Sequence, residues 1–216
     1  HPLLPDAPLK MAAEGSGLAD LFNAVQLEVS GAQLSAASLA NDVAGLPQVV
    51  RRRDLLIAYP YTNTLTVLRI TGAVLRQAME RSAAYFTRGE DNTLRVSDCF
   101  LEPKVEHYNY DFYAGLSYTF DLRRPVGSRV VQLTKLDGSP LGDGTFRLCT
   151  SNYRATGTGG YEILRTCQRH RRLRLLCRLS GRAGDPPRNV RAAAGIFSPT
   201  RRGYPPCRQR LPSLLK

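Results

Sequence analysis

The arginines of this chain are not spread along it. Through residue 164 there are 16 Lys and Arg against 17 Asp and Glu, whereas residues 165 to 216 carry 14 against one. Only the first stretch has the composition of a folding domain. The second holds thirteen arginines, six prolines and no sustained helical or strand period, a makeup that rarely builds a core. The chain therefore divides into a domain over residues 1–164 and an Arg/Pro-rich tail over 165–216. Three readings of the tail stay open: a solvated disordered segment, a nucleic-acid-binding arm, and a stretch translated out of register. Thirteen arginines to one lysine is unusual for a basic arm and natural for a GC-rich gene read in the wrong frame. The net charge of +12 would ordinarily suggest a polyanion partner. Its confinement to the tail removes that argument from the domain, where a nucleic-acid partner is not expected.

The first 164 residues are long enough to bury a core and are regularly punctuated. Ser16 is placed as an N-cap before Leu18, Leu21, Phe22 and Val25, whose spacing predicts a short amphipathic helix. "DLLIAYPY" reads as an extended segment ending at Pro60, since the residue before a proline is pushed out of the helical region. "TLTVLRIT" alternates β-branched residues and predicts a strand closed by Gly72. The following "AVLRQAMERSAAYF" places Val74, Leu75, Ala78, Met79, Ser82 and Tyr85 or Phe86 on one helical stripe. "GLSYTFDL", "SRVVQLTKL" and "TFRLCTSNY" carry strand periodicity, and Asp137-Gly138 signals a tight turn after the second of them. Strands do not alternate strictly with helices, so the expected class is α+β, with mixed, largely antiparallel sheets and packed helices.

Several chemistries are poorly supplied. There are three histidines, His1, His107 and His170, and a metal centre needs several ligating side chains together. "EPKVEHYNYD" could gather Glu106, His107 and Asp111, but a histidine among aromatics is more often a hydrogen-bonded structural residue. No Walker A, GxSxG or HExxH motif occurs. The five cysteines, Cys99, Cys149, Cys167, Cys177 and Cys207, include no CxxC pair; their odd number speaks against a disulfide scaffold, and Cys149 in "FRLCT" reads as a buried apolar residue. No apolar run approaches the roughly 18 to 20 residues of a membrane span, and no leader segment opens the chain. A first residue that is His rather than Met leads us to expect an excised or processed piece of something longer.

Binding is better provided for. "YPYTNT" presents Tyr59 and Tyr61 at a strand-to-strand corner held by Pro60, with Asn63, an amide that can both donate and accept, two residues on. A buried corner with Asn63 bonding backbone is an equally good account of the same spacing. "SNYRATGTGGY" sets Tyr153 before Gly157, Gly159 and Gly160. It can be a phosphate cradle, a shelf for a flat ring, or a turn. Two tyrosines facing each other from distant segments would clamp a base, because a π-face accepts any flat ring.

Three stretches together, "DLLIAYPYTNTLTVLRITGAVLRQAMERSAAYF", "FLEPKVEHYNYDFYAGLSYTFDLRRPVGSRVVQL" and "SNYRATGTGGYEILR", resemble the C-terminal domain of the 5'-nucleotidase family, most closely its 2',3'-cyclic-nucleotide 2'-phosphodiesterase/3'-nucleotidase branch. The likeness runs from roughly residue 14 to 167. It implies part of a two-domain hydrolase outside the cytoplasm, periplasmic, cell-surface or secreted. An N-terminal metallophosphatase domain would hold two divalent metal ions, with no cofactor and no catalytic residue in this chain, and the C-terminal domain would grip the nucleoside or nucleotide. By position the base-sandwiching aromatics fall on Tyr61 and Tyr153, a polar ligand contact on Asn63, and the far pocket wall on Asp111 and Gly115. The glycines after Tyr153 would shape the loop beneath a ring shelf. Two departures stand out: "SAASLANDVAGLP" lacks the family's substrate-contacting Arg, although Arg51 to Arg53 lie nearby, and Gly159 stands where many members have an acid. The family would continue past Cys167 with an apolar stretch and a closing helix, so the turn to arginine there favours the out-of-register reading. The contrasting reading is a basic module that binds nucleic acid through its tail, with strongly salt-dependent affinity.

Overall fold

The computed structural model describes residues 1–173. A five-stranded sheet in the order β5-β1-β8-β2-β9 organises it: β1 Leu34–Ala37, β2 Leu65–Thr71, β5 Phe112–Ala114, β8 Thr145–Ser151 and β9 Gln168–Leu173. Only β1 and β8 pair in parallel; β1 with β5, β2 with β8 and β2 with β9 are antiparallel. Two short hairpins stand beside it, β3 Phe86–Arg88 with β4 Leu94–Val96, and β6 Leu116–Phe120 with β7 Val130–Lys135. Helices α1 Pro8–Glu14, α2 Gly17–Ser30, α3 Arg52–Ala58 and α4 Gly72–Ala83 pack around the sheet, and two single turns, α5 Asn152–Ala155 and α6 Glu162–Arg165, follow β8. This is the expected α+β arrangement.

The two faces of the sheet differ. Leu68, Ile70 and Leu148 face the main core, where they join Leu75, Ala78 and Met79 of α4 and the ring cluster of Tyr85, Phe86, Phe100, Tyr110 and Phe112. On the other face a smaller cluster, Leu65, Val67 and Cys149, is covered by Val29, Ala32 and Leu173. Cover ends there: β2 is buried from Leu65 to Val67 on that face, while Arg69 and Thr71 are exposed. Cys149 is fully buried, as expected, but in the smaller cluster on the face opposite Phe146 and Leu148.

Strand β2 lies where the periodicity puts it, and α4 follows it, started by the Thr71 hydroxyl accepting from Val74 N–H; the helix ends at Ala83, so Tyr85 and Phe86 lie beyond it and Phe86 opens β3. The helix after Ser16 exists but runs fourteen residues. Two differences have clear causes. "DLLIAYPY" is not extended: α3 occupies residues 52–58, started by the Asp54 carboxylate accepting from Arg51 N–H at 2.7 Å. Pro60 expels only Tyr59 from helical geometry (φ −129°, ψ 81°) and so ends the helix without preventing it. Residues 168–173, inside the arginine-rich segment, form edge strand β9 against β2 with a register shift between Val67 and Leu68. The remaining readings of the tail concern residues 174–216, which lie outside the described residues.

Candidate functional site

Strand β8 ends at Ser151, and the chain turns at once into α5. The Ser151 hydroxyl accepts from Arg154 N–H at 3.1 Å. Asn152 then ties this turn to the corner ahead of β2: its side-chain oxygen accepts from Thr64 N–H at 2.7 Å and its own N–H donates to the Thr64 carbonyl at 2.8 Å. This stitch carries Tyr153 to the segment that bears Tyr61 and Asn63.

At the corner Tyr59 is the packed member, its ring edge-on to Phe22 at 5.4 Å and to Tyr61 at 5.7 Å between centroids. Asn63 hydrogen-bonds the Tyr59 side chain, so the amide holds the corner and leaves Tyr61 half-buried. Burial raises the Tyr61 phenol above its ordinary value, and the nearby groups of Tyr153 and Asp42 raise it further. The Tyr108 phenol is pushed up to about 12, first by burial, then by its bond to Glu106, and in addition by Tyr153 and Tyr61. Three phenols from segments far apart in the chain thus share one neighbourhood. The raised phenols of Tyr61 and Tyr108 stay neutral at physiological pH, which suits stacking on a flat ring rather than anion capture. Asn41 closes the edge of the group, donating to the Val105 carbonyl at 2.8 Å and accepting from Tyr108 N–H at 3.3 Å.

Beneath the phenols lies a buried arginine. Arg154 is 1% exposed and its partner Asp111 2%. Its Nε reaches both Asp111 oxygens at 3.1 and 3.0 Å and its Nη2 one of them at 2.8 Å. The remaining donors go to the Tyr108 carbonyl at 3.0 Å, the Thr158 carbonyl at 3.0 Å and Asn109 Oδ1 at 3.2 Å. The guanidinium also lies 4.2 Å over the centre of the Tyr161 ring. Burial pushes the Asp111 carboxyl up, and Arg154 opposes that shift. Burial likewise works against the Arg154 charge, but Asp111 outweighs it and holds the guanidinium above its ordinary value.

The glycine run now has a structural account. Gly159 sits at φ +81°, and a Cβ there would meet Asn109 Oδ1 and Arg154 Nη1. The loop presents carbonyls, not N–H groups, to cations: Thr158 to Arg154, and Gly159 to Arg81 Nε at 3.0 Å. A phosphate cradle requires the opposite polarity. The glycines let the loop close around two arginines.

The structure brings Tyr61, Asn63 and Tyr153 together. Asp111 lies beneath them, its carboxylate occupied by Arg154. Gly115 is not with them: it lies beyond the far end of β5, at φ +90°, where a Cβ would meet the Gln33 carbonyl, so its place is set by the close approach of β1. Glu106, His107 and Asp111 do not gather either. Glu106 accepts from the Tyr108 hydroxyl and Asn109 Nδ2 at 2.9 and 2.8 Å, and His107 Nδ1 pairs with the Tyr85 hydroxyl at 2.7 Å. Among the described residues no three His, Cys, Asp or Glu side chains could hold a metal ion. Tyr108, Asn41 and Arg154 belong to the site and were not picked out by spacing. The available signal for Arg154 was its position between a candidate ring shelf and a glycine run.

Comparisons with known proteins agree on one family. The family model for the 5'-nucleotidase, C-terminal domain, matches residues 6–166. A 2',3'-cyclic-nucleotide 2'-phosphodiesterase/3'-nucleotidase of Yersinia enterocolitica is 29% identical over 62% of this chain and 24% of its own length. The Haemophilus influenzae protein of the same name is 30% identical over 59% of this chain and 22% of its own. The chain thus spans about a quarter of these relatives. A crystal structure of a Staphylococcus aureus protein, named as a 5'-nucleotidase and holding alpha-ketoglutarate, superposes with a TM-score of 0.75 at 34% identity, over 80% of this chain and 34% of that one. A Thermus thermophilus 5'-nucleotidase precursor shares the fold at a TM-score of 0.61 and 23% identity, over 80% of this chain and 32% of that one.

Proposed function

The chain belongs to the 5'-nucleotidase C-terminal domain family, and from that premise we propose that its residues 1–164 bind the nucleoside part of a nucleotide, with Tyr61 and Tyr153 as the two walls that receive the base. The observation that carries this is the stitched turn at Asn152 and Thr64, which sets Tyr153 in the electrostatic neighbourhood of Tyr61 on backbone that is already hydrogen-bonded. A preorganised pair of rings loses little entropy on binding. Tyr108 borders the same space, and Asn63 contributes by fixing the corner through Tyr59. Asp111 acts from below, as the counter-ion that keeps Arg154 and therefore the Tyr153 turn in place. Gly115 shapes the sheet.

The substrates in this reading are 2',3'-cyclic nucleotides and nucleoside 3'- or 5'-monophosphates, in nucleotide breakdown, and the protein works outside the cytoplasm. Relatives named as snake venom 5'-nucleotidases support that placement, and no helix among the described residues is long and apolar enough to cross a membrane. The hydrolytic step belongs to a metallophosphatase domain with two divalent metal ions, which acts as partner to this one. The donor set of the described residues does not fit those ions: no three of their His, Cys, Asp or Glu side chains come together.

Calorimetric titration of the 216-residue chain with adenosine and adenosine 3'-monophosphate tests the reading. Tyr153→Ala and Tyr61→Ala should each weaken adenosine binding roughly tenfold to a hundredfold, the worth of one stacked base. Unchanged affinity in both variants would sink the clamp. Phosphodiesterase activity of this chain with added manganese or zinc would overturn the division of labour.

A further inference from the structure

At the far end of β8 from the tyrosines, the open face of the sheet holds a cleft of about 300 Å³ lined by Gln33, Arg69, Thr145, Phe146 and Arg147. That volume is at the small end of ligand pockets. Arg69 and Arg147 stand directly opposite each other across the antiparallel β2–β8 pair, so both guanidinium groups leave the same face. Like charges opposed in this way destabilise a sheet unless something lies between them. Among the described residues neither takes part in an ion pair. Nor is the arrangement loose. Arg147 donates from Nη2 to the Gly31 carbonyl at 3.1 Å, and its N–H donates to Gln33 Oε1 at 3.0 Å. The second bond engages the Gln33 side-chain oxygen, and the amide nitrogen of this lining residue is a donor. Thr145 adds a hydroxyl.

We propose that Arg69, Arg147, Thr145 and Gln33 form an oxyanion site that takes a phosphate group, separate from the nucleoside clamp. The side chains that bring polar groups to the cleft carry donors, and no carboxylate lines it. Two forked guanidinium groups can each bind a tetrahedral anion through paired N–H groups. Residues 147 to 151 alone span roughly 13 Å of strand, so an anion here does not contact a base held between Tyr61 and Tyr153. The phosphate can be free or the monoester of a small sugar, since both present the same oxygens.

The test titrates the full chain at low salt with inorganic phosphate, ribose 5-phosphate and adenosine. Saturable phosphate binding is expected, weakened roughly tenfold in Arg69→Gln and in Arg147→Gln and lost in the double variant. Arg124→Gln, an exposed arginine of another loop, should leave it intact. Tighter binding of ribose 5-phosphate than of phosphate would identify a sugar monoester as the source, and equal affinity would identify free phosphate; either supports the site. Adenosine affinity should be the same in the double variant and the wild type, so failure of this site and failure of the clamp are told apart. Absence of saturable phosphate binding, wild-type binding by the double variant, or an equal loss in Arg124→Gln would overturn the proposal.

Discussion

Two arginines are buried in this domain, and they are satisfied differently. Arg154, under the phenols, has a buried carboxylate at 2.8 Å and fills its other donors with loop oxygens. Arg129, at the base of the β6–β7 hairpin, has no side-chain carboxylate at its guanidinium. It donates to the Ala83 and Phe86 carbonyls at 3.0 and 2.6 Å and to the Arg124 carbonyl at 3.1 Å. Ala83 is the last residue of α4, where the helix dipole presents its negative end. Glu80 helps from the side, accepting from the backbone N–H groups of Arg129 and Val130 at 2.9 and 2.7 Å. A cation held by carbonyls can be given up at the cost of those bonds; a cation held by a buried carboxylate leaves a charge behind. The first device secures a hairpin, whereas the second secures the turn that carries Tyr153.

The largest effect should follow from removing the charge-paired member. Arg154→Met keeps most of the volume but leaves Asp111 buried and unpaired, a change that costs about 3–5 kcal/mol. Denaturant unfolding should report that loss, and adenosine binding should vanish even where the variant remains folded, because the Tyr153 turn loses its anchor. Retained binding at wild-type affinity would detach the lock from the clamp. Gly159→Ala strikes the same lock from the loop side. A left-handed residue without glycine costs about 1–2 kcal/mol, and the added methyl must displace Asn109 or Arg154. A total near 2–4 kcal/mol in unfolding, with weakened adenosine binding, is expected. Stability equal to wild type would show that the loop can close without the tight fit.

Arg129→Met is the matching change at the hairpin. It orphans helix and strand carbonyls rather than a carboxylate, so about 1–3 kcal/mol is expected. Adenosine affinity should be unchanged in the folded variant. A loss as large as that of Arg154→Met, or a matching loss of binding, would erase the distinction between the two regions.

How much of this was legible in sequence follows from where each signal is stored. Helix α4 announces itself by its apolar stripe, and strands β2 and β8 by short apolar and β-branched runs buried on both faces of the sheet. Helix α3 does not: within it only Ala58 is buried, while Leu56 and Ile57 are exposed, so the usual apolar stripe is missing and the proline two residues later dominates. Strand β9, "QRHRRL", has no strand composition and owes its order to the backbone of β2. The pairing of Arg154 with Asp111 spans 43 positions and leaves no local trace. Tyr61 and Tyr153 were candidate rings by type alone; only likeness to a known family paired them, and the Asn152 bonds to Thr64 tie the two segments that carry them.

The smallest expected effect concerns pH, and it too should distinguish the two regions. His107 sits on the short turn whose next residue, Tyr108, gives its carbonyl to Arg154. Burial depresses the imidazole below its ordinary value of 6.5, with Asp42 opposing the shift, and Nδ1 is engaged with the Tyr85 hydroxyl. The folded state therefore takes up this proton less readily than the unfolded chain. The stabilisation is fully present above about pH 6.5 and declines as pH falls from there towards the depressed folded value, after which it falls no further. Thermal unfolding between pH 7.5 and 5 should show a midpoint that drops more in the wild type than in His107→Gln. Adenosine affinity should follow the same trend, because the turn that loosens carries the Tyr108 carbonyl. In Arg129→Met the same pH dependence should persist unchanged on a lower baseline, since no part of the hairpin lock touches the imidazole. A pH profile altered by Arg129→Met but not by His107→Gln would place the titrating group at the hairpin and reverse the assignment.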